Sequence, residues 1–358
     1  MDLLKKTLVL AFILSTVSCA KVGYLWEQGS AQLGLQSRAK PNEEVLKSAR
    51  VPKDHKQKIQ YVQKLKSYFY EYWKKPATKI YSRTTFLKNK AVTYLVIASP
   101  FDKIATHSSC FPIVGCFPYL GFFEKSSAEE YAKDLRKNDL VTYIRPVYAY
   151  STLGYFEDTI LSSFFKYDED ELAELIFHEL FHTIFFVKDE VDLNENLANY
   201  FSEKMVEEYF QKTEQNELLV KYQTDREMGE KFDRKIVALA TELQTQYEKN
   251  APLDKNMARE VLNDFLREKF FPEMKLLCQQ YKLTDETDES CLVLKKEWNN
   301  ASFAAFLTYE KKANQLSELQ KKLNLDLVHF YDYINQEYKK FLKDDMDLSF
   351  SEYLFQSR

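Results

Sequence analysis

Leu175-Ile176-Phe177-His178-Glu179-Leu180-Phe181-His182-Thr183-Ile184-Phe185-Phe186 sets three polar side chains in one of the most apolar stretches of the chain, Leu172 to Val187. The run reads as a core helix, and burying two imidazoles and a carboxylate in it without partners would be costly. On a helix, positions i and i+4 share a face one turn apart, so His178 and His182 can aim at one ion while Glu179 flanks it. This is the His-Glu-x-x-His arrangement of a zinc hydrolase, with the glutamate as general base. The chain has only five histidines, and the reading that this pair is merely packed in the core was weighed against it.

Catalytic zinc keeps three protein ligands and leaves a fourth position for water. Downstream, Asp192-Leu193-Asn194-Glu195-Asn196-Leu197-Ala198 offers two acids. Its Asn-Glu-x-x-Ala core resembles the second helix of gluzincin peptidases, which makes Glu195 the expected third ligand and Asp192 the alternative. Asp189 and Glu190 read as solvated or helix-capping acids of the intervening loop.

The N-terminus carries Lys5-Lys6, then an apolar run from Thr7 to Val17 ending in Ser18-Cys19-Ala20. That is the pattern of a secretory signal, too short to count as a spanning helix of the mature protein. The cysteine at the junction resembles a bacterial lipobox, with Cys19 as the lipidated first residue of an envelope protein; cleavage near Ala20 without a lipid is the alternative. Of the five cysteines, four remain after Cys19, an even number that fits disulfides in an oxidising compartment. Three connectivities are open, and the local one, Cys110 with Cys116 and Cys278 with Cys291, is the expectation. A net charge of −4 with interspersed signs argues against a nucleic-acid partner. Oligomeric state is not legible.

The pattern along the chain gives an α+β fold, predominantly α-helical, with a zincin-like catalytic lobe, a small antiparallel or mixed sheet and a C-terminal helical region. The expected divisions are 1–19 (signal peptide with its lipobox cysteine), 20–55 (polar lead-in), 56–212 (catalytic region) and 213–358 (helices packed on it). Lys56 to Lys74 has Ile59, Val62, Leu65, Phe69 and Tyr72 at helical spacing. Lys79–Phe86 and Ala91–Ser99 read as strands joined by a turn at Lys88-Asn89-Lys90, and Val141–Tyr150 as an edge strand because of Pro146. Ser126 to Glu129, and Asp168 with Glu171, have capping-box spacing at two helix starts. Glu217–Lys249 and Met257–Leu277 form a helical pair separated at Ala251-Pro252. His55 and His107 read as loop residues, and His329 as a satisfied histidine on an apolar helix.

Several blocks together carry a family resemblance: Cys110 to Phe123, Ala149-Tyr150-Ser151-Thr152-Leu153-Gly154-Tyr155-Phe156, Ile176 to His182, Asn194-Glu195, and more weakly Asn299-Asn300-Ala301 leading to Thr308-Tyr309. They resemble a bacterial family described as putative lipoprotein aminopeptidases, a predicted zinc-peptidase group. The sequence departs from that pattern at Phe181, Thr183, Lys188-Asp189-Glu190 and Ser202, none of them a proposed ligand. The resemblance implies Zn2+ on His178, His182 and Glu195, Glu179 as general base, a peptide substrate and a lipid anchor in the membrane. Tyr150 and Tyr309 are the candidates for a second donor to the developing oxyanion. An extended peptide could add to a strand such as Ala91–Ser99. The Gly-x-Met-Glu-Asn signature that holds the substrate amine in better-known gluzincin aminopeptidases is absent. A zinc endopeptidase, or a non-catalytic envelope lipoprotein that binds a protein partner, are the competing readings.

Overall fold

A computed structural model describes residues 19–111, 115–149, 157–283, 291–309, 313–344 and 348–356. Its strands are short: β1 (Lys40–Pro41), β2 (Arg83–Thr85), β3 (Thr93–Pro100), β4 (Ser109–Phe111), β5 (Gly115–Phe117), β6 (Tyr119–Phe122), β7 (Leu140–Val147) and β8 (Ile160–Leu161). They form a mixed sheet β1-β2-β8, an antiparallel sheet β6-β3-β7 and the pair β4-β5. The two runs expected to form a hairpin therefore lie in different sheets, with β2 beside β1 and β8 and β3 between β6 and β7. Alternation identifies a strand but not its neighbour. β3 reads as a continuous apolar run because both its faces are buried. Val96 meets Ala128 and Ala132 on one side, and Ile97 meets Ala301 and Ala305 on the other. β7 is an edge strand, as Pro146 requires.

The helices are α1 (Cys19–Arg38), α2 (Asn42–Lys47), α3 (Lys53–Tyr72), α4 (Lys125–Lys137), α5 (Glu169–Phe181), α6 (Val191–Lys212) and α7 (Asn216–Lys249). They continue as α8 (Lys255–Phe265), α9 (Phe271–Gln280), α10 (Leu292–Lys295), α11 (Asn300–Tyr309), α12 (Ala313–Leu323), α13 (Leu327–Phe341) and α14 (Phe350–Gln356). The helix-dominated α+β class is as expected. The polar lead-in, however, is mostly helix. Tertiary contact overrides its composition: Leu35 is buried, and Tyr24 meets Phe122 edge-on with ring centres 5.2 Å apart. No helix among the described residues is long and apolar enough to cross a membrane.

α3 buries the stripe Ile59, Val62, Leu65 and Phe69 against α5 and α6. Phe181 stacks on Phe201 at 4.7 Å, and α12, α13 and α14 close the same core. α7, α8 and α9 build a second core around Phe270, Trp298 and Phe303. A five-residue π turn, Leu266–Phe270, links α8 to α9 just before Pro272. Asn300 ties this part to the sheet. Its Nδ2 donates to the carbonyls of Pro100, Phe101 and Lys103, and its Oδ1 accepts from Tyr247 at 2.8 Å.

Both local disulfides are present, Cys110–Cys116 across β4 and β5 and Cys278–Cys291 in the helical part. Two local expectations change, and His329 is satisfied as expected. α4 starts one residue before Ser126, with Glu124 at its N-cap and no side-chain cap there. His55 lies in α3, its ring 4.5 Å from Phe165, rather than in a loop. His329 pairs with the N-cap residue Asp326 at 2.7 Å and is exposed.

Candidate metal centre

The ligand segment begins where the sequence asks a helix to begin. Asp168 and Glu171 form a capping box, with Glu171 Oε2 accepting from Asp168 N at 2.9 Å. Leu172, Ala173, Ile176, Phe177 and Leu180 fix one face of α5 in the core, which turns His178 and Glu179 toward the sheet. α5 ends at Phe181, and His182 is its C-cap in right-handed helical conformation, so the i, i+4 relation of the imidazoles survives the helix end.

The chain then turns through residues 183–190 into α6. Asn194 clamps this turn by its side-chain amide, accepting from Val187 N at 2.8 Å and donating to Val187 O at 2.7 Å. Tyr331 donates to Ile184 O at 3.1 Å. Glu190 accepts from Phe350 N at 2.5 Å and Ser351 N at 2.9 Å, capping α14. The asparagine of the Asn-Glu pair thus has a positional role, delivering Glu195 to the histidines.

His178 Nε2 and His182 Nε2 lie 3.2 Å apart, and the Glu195 carboxylate sits 3.4 Å from the first and 3.5 Å from the second. Ligands held about 2.0–2.1 Å from a tetrahedral ion would lie about 3.3 Å from one another; the two imidazole nitrogens stand at about that separation, and each faces one of the two Glu195 oxygens at a similar distance. Two imidazoles and a carboxylate are also a zinc-type donor set. These three are the metal-capable group among the described residues; Asp192 is not part of it and instead accepts from Asn196 Nδ2 through its carbonyl at 2.6 Å.

The electrostatics are those of a cation site. Burial opposes a proton on His178, but the hydrogen bond to Glu195, the charges of Glu179 and Glu195 and a hydrogen bond accepted by the Asn199 side chain hold its pKa above the ordinary value. Burial, and then the neighbouring His178, push His182 down to about 4. Burial pushes the Glu195 carboxyl up, yet the two histidines draw it below its usual value. Among the described residues the buried His182 Nδ1 has no hydrogen-bond partner, the acceptor that usually supports a metal-bound histidine.

A cleft of about 420 Å³ opens beside the triangle, walled by α5 and by the end of β7 and the residues after it. Arg145, Tyr148, Tyr167, Glu174, Glu179 and Asn199 line it. Glu179 is 7 % exposed. Tyr81 lies close to it, buried, in left-handed backbone (φ 57°), with its carbonyl held by Asn42 Nδ2 at 2.8 Å. β3 is paired on both sides, which removes the expectation that Ala91–Ser99 aligns a peptide; among the described residues β6 and β7 are the edges of that sheet, and β7 is the one whose end lines the cleft. Tyr150 lies outside the described residues, and Tyr309 is the last residue of α11. Sequence reasoning missed Glu174 and Asn199, although each is four residues from a ligand, Glu174 before His178 and Asn199 after Glu195, a spacing that puts it on the ligand's face.

The family model described as "Putative aminopeptidase" matches residues 23–344. No curated protein and no solved structure matches the chain. With the match running from α1 to beyond α13 and enclosing both helices of the triangle, the chain belongs to the putative aminopeptidase family.

Proposed function

We propose that this chain is a zinc-dependent peptidase of the bacterial cell envelope that acts at the amino end of peptides and is anchored through a lipid on Cys19. The observation that carries the reading is the closed triangle of His178, His182 and Glu195 beside a cleft that contains Glu179. Bound zinc would supply a Lewis acid and a water whose pKa is lowered to about 7.

The chain's own residues account for the rest of the chemistry. Glu179 accepts a proton from the attacking water and returns it to the leaving amine. The free edge of β7, at one wall of the cleft, aligns the substrate in extended form by main-chain hydrogen bonds. Tyr150 and Tyr309 remain the proposed donors to the oxyanion, and Tyr167 joins them because it lines the cleft with Glu179. The envelope assignment rests on the N-terminal leader pattern and on two disulfides, which fit an oxidising compartment.

The soluble form from Lys21 onward, purified and assayed for metal, is expected to contain one zinc per chain. Glu179→Gln is expected to keep the zinc and lower peptide hydrolysis by about 10²- to 10⁴-fold. Absence of zinc, or intact hydrolysis in that variant, refutes the reading.

A further inference from the structure

We propose that the outward face of α1 lies flat on a phospholipid bilayer, so that the chain meets the membrane along a helix as well as at its lipid. The inference rests on the envelope reading above, with its anchor at Cys19. It adds a second contact, one that fixes how the body stands on the surface.

α1 has two faces of opposite use. Gln32 and Leu35 are buried and Tyr24 meets Phe122 edge-on, so that side belongs to the protein core. Among its described side chains the exposed positions are Gly23, Trp26, Gly29, Ser30, Leu33 and Ser37, with Arg38 at the helix end. At about 100° per residue the first six fall within about 120° of the helix circumference. That is the width of the apolar stripe by which a helix docks on something. None of the six is ionisable, in a chain of which 29 % of the residues are charged. A helix face that stays in water carries charged and polar side chains instead.

The chemistry of the stripe suits lipid. Trp26 is 78 % exposed and Leu33 62 % exposed, and the backbone at Gly23 and Gly29 has open space over it. The two hydroxyls on this face close on the helix itself: Ser30 Oγ donates to Glu27 O at 3.1 Å and Ser37 Oγ donates to Gly34 O at 3.0 Å. A serine bonded in this way enters an apolar medium without leaving its donor unpaired. Tryptophan is a side chain that collects at the level of the lipid headgroups.

Single exposed apolar residues occur on every protein surface; the place of this stripe in the chain is what names its occupant. α1 begins at Cys19, the proposed lipid attachment, and the apolar run Thr7–Val17 leads into it in the sequence. A lipid on Cys19 puts the first turn of the helix at a bilayer. Trp26 is then about 10 Å and Leu33 about 21 Å from that point along the axis. Seven residues bring the second back to within about 20° of the first, so the two mark a line parallel to the axis. A helix standing upright on its lipid would leave Leu33 far out in water. Only a helix lying down covers both, and a bilayer is a surface wide enough to do so. The lipid then supplies the grip, and the stripe stops the body from swinging about its tether.

The test reads the fluorescence of Trp26, because the other two tryptophans, Trp73 and Trp298, are each only 5 % exposed. The lipid-bearing chain is reconstituted in vesicles of phosphatidylethanolamine and phosphatidylglycerol, with and without brominated acyl chains. Mass spectrometry of its N-terminal peptide records the lipid on Cys19. Residues 19–358 carrying Cys19→Ser, made without the leader, keep every described residue and are titrated with the same vesicles. Trp26 emission in the lipid-bearing chain is expected to move to shorter wavelength and to be quenched by the brominated lipid. Leu33→Glu is expected to keep the melting temperature, to relieve that quenching, and to weaken partition of the lipid-free chain by about 10-fold or more. Trp26 left unquenched in the lipid-bearing chain, or quenched equally with and without Leu33→Glu, overturns the proposal and leaves the lipid anchor standing. If Cys19 carries no lipid, the anchor reading falls and the lipid-free chain alone decides: absent partition, or partition that Leu33→Glu does not weaken, overturns the stripe. A shift that grows with protein concentration in the absence of vesicles gives the face to a second copy of the chain and overturns the bilayer as its occupant.

Discussion

Asn194 holds Val187 at both of its main-chain polar groups, accepting from its N–H at 2.8 Å and donating to its carbonyl at 2.7 Å. The pair is buried, and the residue after Asn194 is the carboxylate ligand. Loss of the clamp leaves two buried backbone groups without partners. Asn194→Ala is therefore expected to lower stability by about 2–4 kcal/mol and to weaken zinc binding by about 10- to 100-fold. Denaturant titration and chelator competition measure the two effects; wild-type values in both would show that the turn holds its shape without the clamp.

A metal ion bound at this triangle would compete with protonation of His178, whose pKa lies above the usual 6.5. Affinity should therefore rise about tenfold per pH unit below that raised value and level off above it. Only near pH 4, where His182 also takes up a proton, does the dependence steepen. In the metal-free chain the signs separate. The His178 contribution to stability is fully present below 6.5 and is lost as pH rises through its raised value. Glu195, drawn below 4.5, contributes above 4.5 and loses that contribution as pH falls. Chelator competition across this range gives the first slope, and a flat profile would place the proton elsewhere.

The two disulfides differ in exposure: Cys278 and Cys291 are buried, whereas Cys116 is at the surface. A phosphine reductant should open Cys110–Cys116 in the folded protein and leave Cys278–Cys291 closed until the helical part unfolds. Replacing both Cys278 and Cys291 by alanine removes a closed loop and should cost about 2–4 kcal/mol. Mass spectrometry of alkylated protein reads the order of reduction; simultaneous opening would contradict it.

Phe181 is 2 % exposed and stacks on Phe201 with ring centres 4.7 Å apart. Phe181→Ala would leave a hole, because the partners around it are large. The expected loss is about 3–5 kcal/mol, read by thermal or denaturant unfolding. A loss below about 1 kcal/mol would mean that Trp73 and Tyr331, its other ring neighbours, close over the gap.

Features encoded over a few residues were legible in the sequence: the capping box at Asp168, the edge character that Pro146 gives β7, and the spacing that brings His178 and His182 together. Glu195 came from its motif context, and the structure separates it from Asp192. Pairing between distant segments was not legible. β2 and β3 have strand patterns, but nothing local says that β2 lies beside β8 while β3 lies between β6 and β7. α1 was missed because its composition is polar and its order comes from contacts such as Tyr24 on Phe122. The cleft residue Arg145 meets α5 only through tertiary packing, and no spacing in the chain announces it; Tyr167 lies next to the N-cap Asp168, but nothing local says that it lines the cleft.

Glu190 fastens the amide groups that open α14, and it lies five residues before Glu195. The tail of the polypeptide is thereby buckled to the bend between the two ligand helices. Removing residues 350–356, 160 positions further along the chain, would unfasten that belt, so proteolysis near the C-terminus is expected to loosen the placement of Glu195.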